Sequence, residues 1–274
     1  MTEQSDKVDF SSVRWGSVEW TNLCTLYLRA YESRSAHPVL GDHAAAEAVD
    51  RIDYDFARMR WSMLPATNQF MVTIRAKQLD IWAADFLQRH PDAVVLHLGC
   101  GLDTRAFRLE TPPTVQWFDV DVPNVIDLRR KLYDDHDGYR MIGSSVTDPQ
   151  WLEQTPAGGP ALVIAEGLLM YLTATEVRDL LQRVTDRFST GELLADLESP
   201  WGPRLSRIFT SGIVKWGTRG GGELMQWIPR LELLETAPLI DPAKIPLRPQ
   251  RLLYRMLFAI PFVRNIDRLY RFRF

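Results

Sequence analysis

Between residues 91 and 200 the chain alternates short apolar runs with amphipathic stretches, and that alternation predicts its architecture. Ala93–Leu98 (AVVLHL) is rich in β-branched residues, free of Asp, Glu, Lys and Arg, and stopped by glycine, the pattern of a strand buried on both faces. Val115–Val120 (VQWFDV) predicts a second strand. Pro123 stands where a first helical turn tolerates proline and opens a helix through about Tyr133. Tyr139–Ile142 is a weaker third strand, and Ala161–Ala165 a fourth, after the Gly158-Gly159-Pro160 turn. Thr173 and Glu176 have capping-box spacing ahead of an apolar stripe of Val177, Leu180, Leu181, Val184 and Phe188. Ser189-Thr190-Gly191 stops that helix, and Glu192–Leu197 predicts a fifth strand. A helix near Arg251–Ala259 and an alternating strand over Asp267–Phe274 close the chain. Strands alternating with helices predict a doubly wound, mostly parallel α/β sheet with right-handed crossovers.

The flanks read differently. Residues 1–90 are mostly helical in pattern and rich in aromatics, which predicts an N-terminal helical cap on a sheet domain over 91–274. Residues 201–222 hold six of the sixteen glycines, and a lid insertion is expected over about 201–235. The acceptor pocket is then expected between cap and lid, where Trp201, Trp216 and Trp227 offer large flat surfaces or else ordinary core packing.

Composition narrows the function. The chain has 274 residues, 46% hydrophobic and 24% charged, ordinary for a globular protein able to bury its own core. A net charge of −3 argues against a generic nucleic-acid binder. The tail concentrates Arg248, Arg251, Arg255, Arg264, Arg268, Arg271 and Arg273 against Asp267, which is read as a solvated sheet edge. Two cysteines suit a reducing compartment, and neither a signal pattern nor an apolar run of ~20 residues is found, so a cytoplasmic protein without a membrane partner is expected. The five histidines show no metal spacing, no metal is expected, and His97 reads as a core residue. There is neither a GxxxxGK[ST] phosphate loop nor a GxSxG nucleophile elbow.

The first strand runs into Leu98-Gly99-Cys100-Gly101-Leu102-Asp103-Thr104. In such sheets ligands bind beyond the carboxyl ends of the strands where strand order reverses, and glycines let the backbone approach them. A helix just beyond would add unpaired N–H groups. A dinucleotide fold wants a third glycine, but position 104 is threonine. The second strand ends Phe118-Asp119-Val120-Asp121, with Asp121 twenty residues beyond Gly101, the distance at which a nucleotide fold presents an acid to ribose hydroxyls. Capping before Pro123 is the other reading of Asp121. Asp119 is the rival acid, since alternation puts both on one face of the strand. A nucleoside ligand without a diphosphate signature suggests S-adenosyl-L-methionine over NAD.

Three runs, VVLHLGCGLDTRAFRL, WFDVDVPNVIDLRRKLY and ALVIAEGLLMYLTATEV, together with the N-terminal YESRSAHPVLGDHAAAEAV, resemble the leucine carboxyl methyltransferase family, most of all its bacterial and fungal branch of polyketide O-methyltransferases. The resemblance covers about residues 27–190. It implies a seven-stranded, Rossmann-like class I methyltransferase sheet, S-adenosyl-L-methionine as cofactor and a small-molecule methyl acceptor. Matched residue by residue, it assigns the methionine carboxylate to Arg75, passage under the cofactor to Gly99 and Gly101, the ribose to Asp121, and the neighbourhood of the sulfonium to Glu166. Where the family has an Asp for the adenine amine, this chain has Ser145, followed by Val146, and a serine hydroxyl accepts that bond more weakly. Cys100 is given no chemistry and no catalytic residue is assigned. A carboxylate or acidic hydroxyl acceptor is expected, since no His–acid pair offers a base. A protein carboxyl methyltransferase and a catalytically silent nucleotide-binding scaffold are the alternatives.

Overall fold

The apolar runs become parallel strands because each is buried on both sides. In the computed structural model, which describes residues 7–209 and 212–274, the N-terminal part comprises β1 (Val8–Asp9), α1 (Val18–Ser33), α2 (His43–Arg51), β2 (Ile52–Asp53), α3 (Phe56–Met63) and α4 (Pro65–Arg89). There follow β3 (Val94–Leu98), α5 (Arg105–Arg108), β4 (Gln116–Asp121), α6 (Pro123–Arg130), β5 (Tyr139–Gly143), β6 (Pro160–Ala165), α7 (Ala174–Arg187) and β7 (Thr190–Glu198). The chain ends with α8 (Gly202–Phe209), α9 (Gly222–Trp227), β8 (Glu232–Pro238), α10 (Arg248–Phe258), α11 (Pro261–Arg264) and β9 (Asp267–Arg273). Residues 1–6 of the expected cap and 210–211 of the expected lid lie outside the described residues.

The main sheet has seven strands in the order β5-β4-β3-β6-β7-β9-β8, with β9 antiparallel to both its neighbours. Strand order reverses between β3 and β6, so a crevice opens beyond their carboxyl ends. Alternation sorts the side chains: Val94, Leu96 and Leu98 join Phe118 and Val120 on the face covered by α7, while Val95 and Trp117 join the face covered by α4. Each cluster removes a continuous apolar layer from water at roughly 25 cal/mol per Å². Thr173 and Glu176 form the expected capping box, with both reciprocal bonds present.

Two expectations differ from the packing. The division at residue 90 cuts off α4, yet Leu79, Trp82, Ala83, Phe86 and Leu87 of that helix sit on the sheet itself. The cap proper is α1, α2 and α3, closed by its own core around Leu23, Leu26, Tyr27, Ala48 and Ile52. The expected lid over 201–235 runs into β8, the seventh strand. That strand is an exposed edge, with a register shift between Leu233 and Glu235 and a proline at its end, so no buried run announces it.

Candidate active site

The loop after β3 turns sharply: Gly99 has φ +62° and Gly101 φ +52°, and the Gly99 N–H donates to the Val120 carbonyl at 2.8 Å. A Cβ on Gly101 would stand 2.8 Å from Asn22 Oδ1 of α1, and one on Gly99 would stand 2.9 Å from Leu168 Cδ1, so glycine is required for approach as well as for φ. The helix that follows, α5, is one turn long and its first amide is taken by Asp103 Oδ1 at 3.0 Å. The first of the N–H groups expected to be free at this turn is therefore already engaged.

A cavity of ≈ 220 Å³ lies beneath α1 at this point. Arg75, Gly99, Gly101, Asp121 and Glu166, five of the seven residues singled out in the sequence, line it, with Arg29 and Tyr171. The other two do not reach it. Ser145 Oγ lies 2.7 Å from Thr147 Oγ1, and Val146 is buried with its carbonyl accepting from Trp151 Nε1 at 3.2 Å. Both sit just past β5, where the Ser144 N–H bonds the Asp121 carbonyl at 2.8 Å.

The two acids of β4 part company here. Asp121 accepts the Gly101 N–H at 2.8 Å and the Val122 N–H at 2.7 Å and faces the cavity. Burial raises its pKa against the pull of those amides. Asp119 is fully buried, accepting from Tyr139 Oη at 2.6 Å, Trp117 Nε1 at 2.9 Å and Arg129, with His97 Nδ1 at 2.9 Å. Burial raises its pKa too, but Arg129, His97 and Tyr139 outweigh that and hold it at about 2. His97 is buried as the sequence suggested, but it also lines the cavity, and its contact with Asp119 is a His–acid pair that the sequence reading did not find. Cys100 is buried and its thiol pushed well up by desolvation, so it is no nucleophile.

Around Glu166 four arginines and five carboxylates interlock. Glu166 binds Arg75 Nε at 2.8 Å, Arg105 Nη2 at 2.6 Å and Arg29 Nη2 at 3.4 Å. Arg105 also binds Asp80 at 2.6 Å and Asp103 at 3.0 Å, Arg108 bridges Asp80, Asp103 and Asp42, and Arg75 reaches Asp196 at 3.1 Å. Desolvation opposes the charged form of Glu166, but Arg75, Arg105 and Arg29 bring its pKa down to about 2. Arg29 Nε is left buried without a partner, an orphan donor on a residue of the cavity wall. Arg29, Asp103 and Arg105 were not singled out in the sequence. Their only signal is an arginine inside the apolar run Leu23–Ala30, and dense charge directly after the glycine turn.

None of the three expected tryptophans lines this cavity. Trp216 is buried on the α7 face of the sheet with Trp227 5.7 Å away, and Trp201, half exposed, packs edge-on against Phe262.

Comparison with known proteins follows this geometry. The leucine carboxyl methyltransferase family model matches residues 22–185. The chain is 43% identical over 270 residues, 96% of its length and 99% of the relative's, to the tetracenomycin polyketide synthesis O-methyltransferase of Streptomyces glaucescens. It is 37% identical over 193 residues, 66% of this chain and 65% of the relative, to an S-adenosyl-L-methionine-dependent methyltransferase of Gibberella zeae. Among solved structures, a candidate methyltransferase from Thermobifida fusca superposes with TM-score 0.55 at 17% identity, over 90% of this chain and 93% of that one, a likeness of fold.

Proposed function

The chain belongs to the leucine carboxyl methyltransferase family, and from that premise we propose that it is an S-adenosyl-L-methionine-dependent O-methyltransferase acting on a carboxylate or acidic hydroxyl of a small, polyketide-like secondary metabolite. One observation carries the reading. The cavity at the reversal of strand order has a carboxylate for hydroxyls at one end, Asp121, and arginines for a carboxylate at the other, Arg75 and Arg29. The orphan Nε of Arg29 supports the fit, because a ligand carboxylate would satisfy it. The turn has glycines at 99 and 101 and threonine at 104, so it lacks the third glycine that a diphosphate-binding turn uses.

Bound there, the cofactor supplies an electrophilic methyl group on sulfur. The chain's part is positioning and exclusion of water. Asp121 accepts two ribose hydroxyls while Gly101 N–H keeps its carboxylate oriented. Glu166, locked by three arginines, fixes a negative charge near the sulfonium. Ser145, which follows the Ser144 amide that ties β5 to β4 and does not line the cavity, is assigned to the adenine amine on the family pattern alone. The acceptor approaches over Tyr171, on the side of Asp196, and a carboxylate acceptor needs no base there. In domain terms, α1–α3 form the cap and α4 belongs to cap and sheet together.

Transfer of a tritiated methyl group from labelled S-adenosylmethionine into a small-molecule extract, compared with a protein extract, tests the reading. Label in the small-molecule fraction is expected. Label in protein alone overturns the acceptor class, and no transfer with undiminished cofactor binding overturns the activity.

A further inference from the structure

α10 is apolar on both of its long faces. Inward, Tyr254 packs on Phe70 and Ile74 of α4 and donates its hydroxyl to the Thr67 carbonyl at 3.1 Å. Outward, Leu252 is 61% exposed and Met256 66%, and Ile260, just past the helix, 51%. At 3.6 residues per turn, Leu252 and Met256 stand opposite Tyr254. Leu253, Leu257 and Phe262 of α11 are exposed beside them. Contiguous exposed apolar surface on a helix whose opposite side is already packed marks a place of contact.

Charge says what covers it. From Pro242 to Ile266 the chain holds Lys244, Arg248, Arg251, Arg255 and Arg264 and no Asp or Glu, in a protein of net charge −3. Lys244 is tied to Gln78, and Arg251 to the carbonyls of Ile245 and Pro246. Arg248, Arg255 and Arg264 are exposed and have no hydrogen-bond or ion-pair partner among the described residues. Arg248 and Arg255 are two turns apart, along one edge of the outward apolar face. A second copy docked face to face would press these like charges together. An exposed apolar helix face with an arginine edge suits a deformable anionic surface.

We propose that α10 and α11 seat the enzyme on an anionic lipid surface. Leu252, Met256 and Ile260 enter the boundary between headgroups and acyl chains, and Arg248, Arg255 and Arg264 meet the lipid phosphates. No helix among the described residues is long and apolar enough to cross a membrane, and an interfacial helix needs no such length. The sequence-based expectation of no membrane partner rested on the lack of a signal pattern and of a spanning run, neither of which an interfacial helix requires.

The test is co-sedimentation of the full chain with vesicles of phosphatidylcholine alone or with about 30% phosphatidylglycerol, at low and high salt. Wild type is expected to pellet with the anionic vesicles only, and less at high salt. L252E/M256E and, separately, R248E/R255E are each expected to bind at least roughly tenfold more weakly, about one log unit of affinity. Both are expected to keep wild-type melting and S-adenosylmethionine binding; should one fail to fold, the other decides. Wild type that stays in the supernatant, or binds neutral vesicles equally, overturns the proposal, as do folded variants that pellet like wild type. Sedimentation velocity without lipid gives the remaining outcome: a dimer that L252E/M256E converts to monomer would make this face a subunit interface and overturn the lipid assignment.

Discussion

Two groups of carboxylates flank the cavity, and they live in opposite electrostatic surroundings. Glu166, Asp80 and Asp103 are each held by two or three arginines, and their pKa values fall despite burial. Of Asp196, Glu198 and Asp267, where β7 meets β9, only Asp196 is ion-paired, to Arg75, whose charge also favours ionised Asp267. Burial raises all three, and repulsion adds to it: from Glu166 on Asp196, from Asp196 on Glu198, and from Asp196 and Glu198 on Asp267. Asp267 Oδ1 has no hydrogen-bond partner. Arginines hold the first group in its charged form, whereas in the second burial favours the neutral form. A buried charge lattice of this kind is weak evidence for net stability, but breaking it leaves uncompensated ions.

The sharpest way to break the comparison is to make the balanced group resemble the other. Arg105→Met removes a fully buried guanidinium that serves Asp80, Asp103 and Glu166. It should cost about 3–5 kcal/mol, read as a large drop in melting temperature. A loss under ~1 kcal/mol would mean the lattice rearranges freely, and the contrast would fail.

Acid titration sharpens it next. Glu166 and Asp119 have folded pKa values depressed to about 2 from 4.5 and 3.8, so their stabilisation is complete above the unfolded values and lost as pH falls from about 4.5 toward 2. Asp196, Glu198 and Asp267 have raised values, so their contribution is complete below about 4 and lost as pH rises through the folded values. Asp267→Asn should therefore raise the melting temperature at pH 8 more than at pH 4, by a few degrees, the scale of roughly 1 kcal/mol in a chain this size. An equal gain at both pH values would place Asp267 outside the uncompensated group.

The smallest effect is expected from Ser145→Asp. On the proposed assignment of this position to the adenine amine it restores the family's acceptor, so cofactor affinity in calorimetry should stay the same or tighten. A loss of more than tenfold, about 1.4 kcal/mol, would show that the position has another role.

Much of the fold was legible because a strand buried on both faces must be apolar throughout: AVVLHL, VQWFDV and ALVIA all lie within one or two residues of the observed strands. β8 was hidden because an exposed, bulged edge strand carries neither a buried run nor a clean alternation. In the site, the glycine turn and the acid of β4 were visible as local spacing. The choice between Asp119 and Asp121 was not, because both share a face and what separates them, Arg129 and Tyr139, arrives from α6 and β5. Arg29 was beyond reach for a similar reason: its partner Glu166 is 137 residues away.

That pair of acids also gives the most direct test of the assignment, through S-adenosylmethionine titrations and ligand-free melts of Asp121→Ala and Asp119→Ala side by side. Asp121→Ala is expected to lose ~1.5–3 kcal/mol of cofactor binding, roughly 10- to 150-fold, with its melt nearly unchanged, because the carboxylate faces the cavity. Asp119→Ala is expected to lose about 3–5 kcal/mol of stability, because it strands Arg129 in the core. If Asp121→Ala instead collapses the melt while binding the cofactor normally, the acid at the end of β4 is structural and the cavity is not the cofactor site.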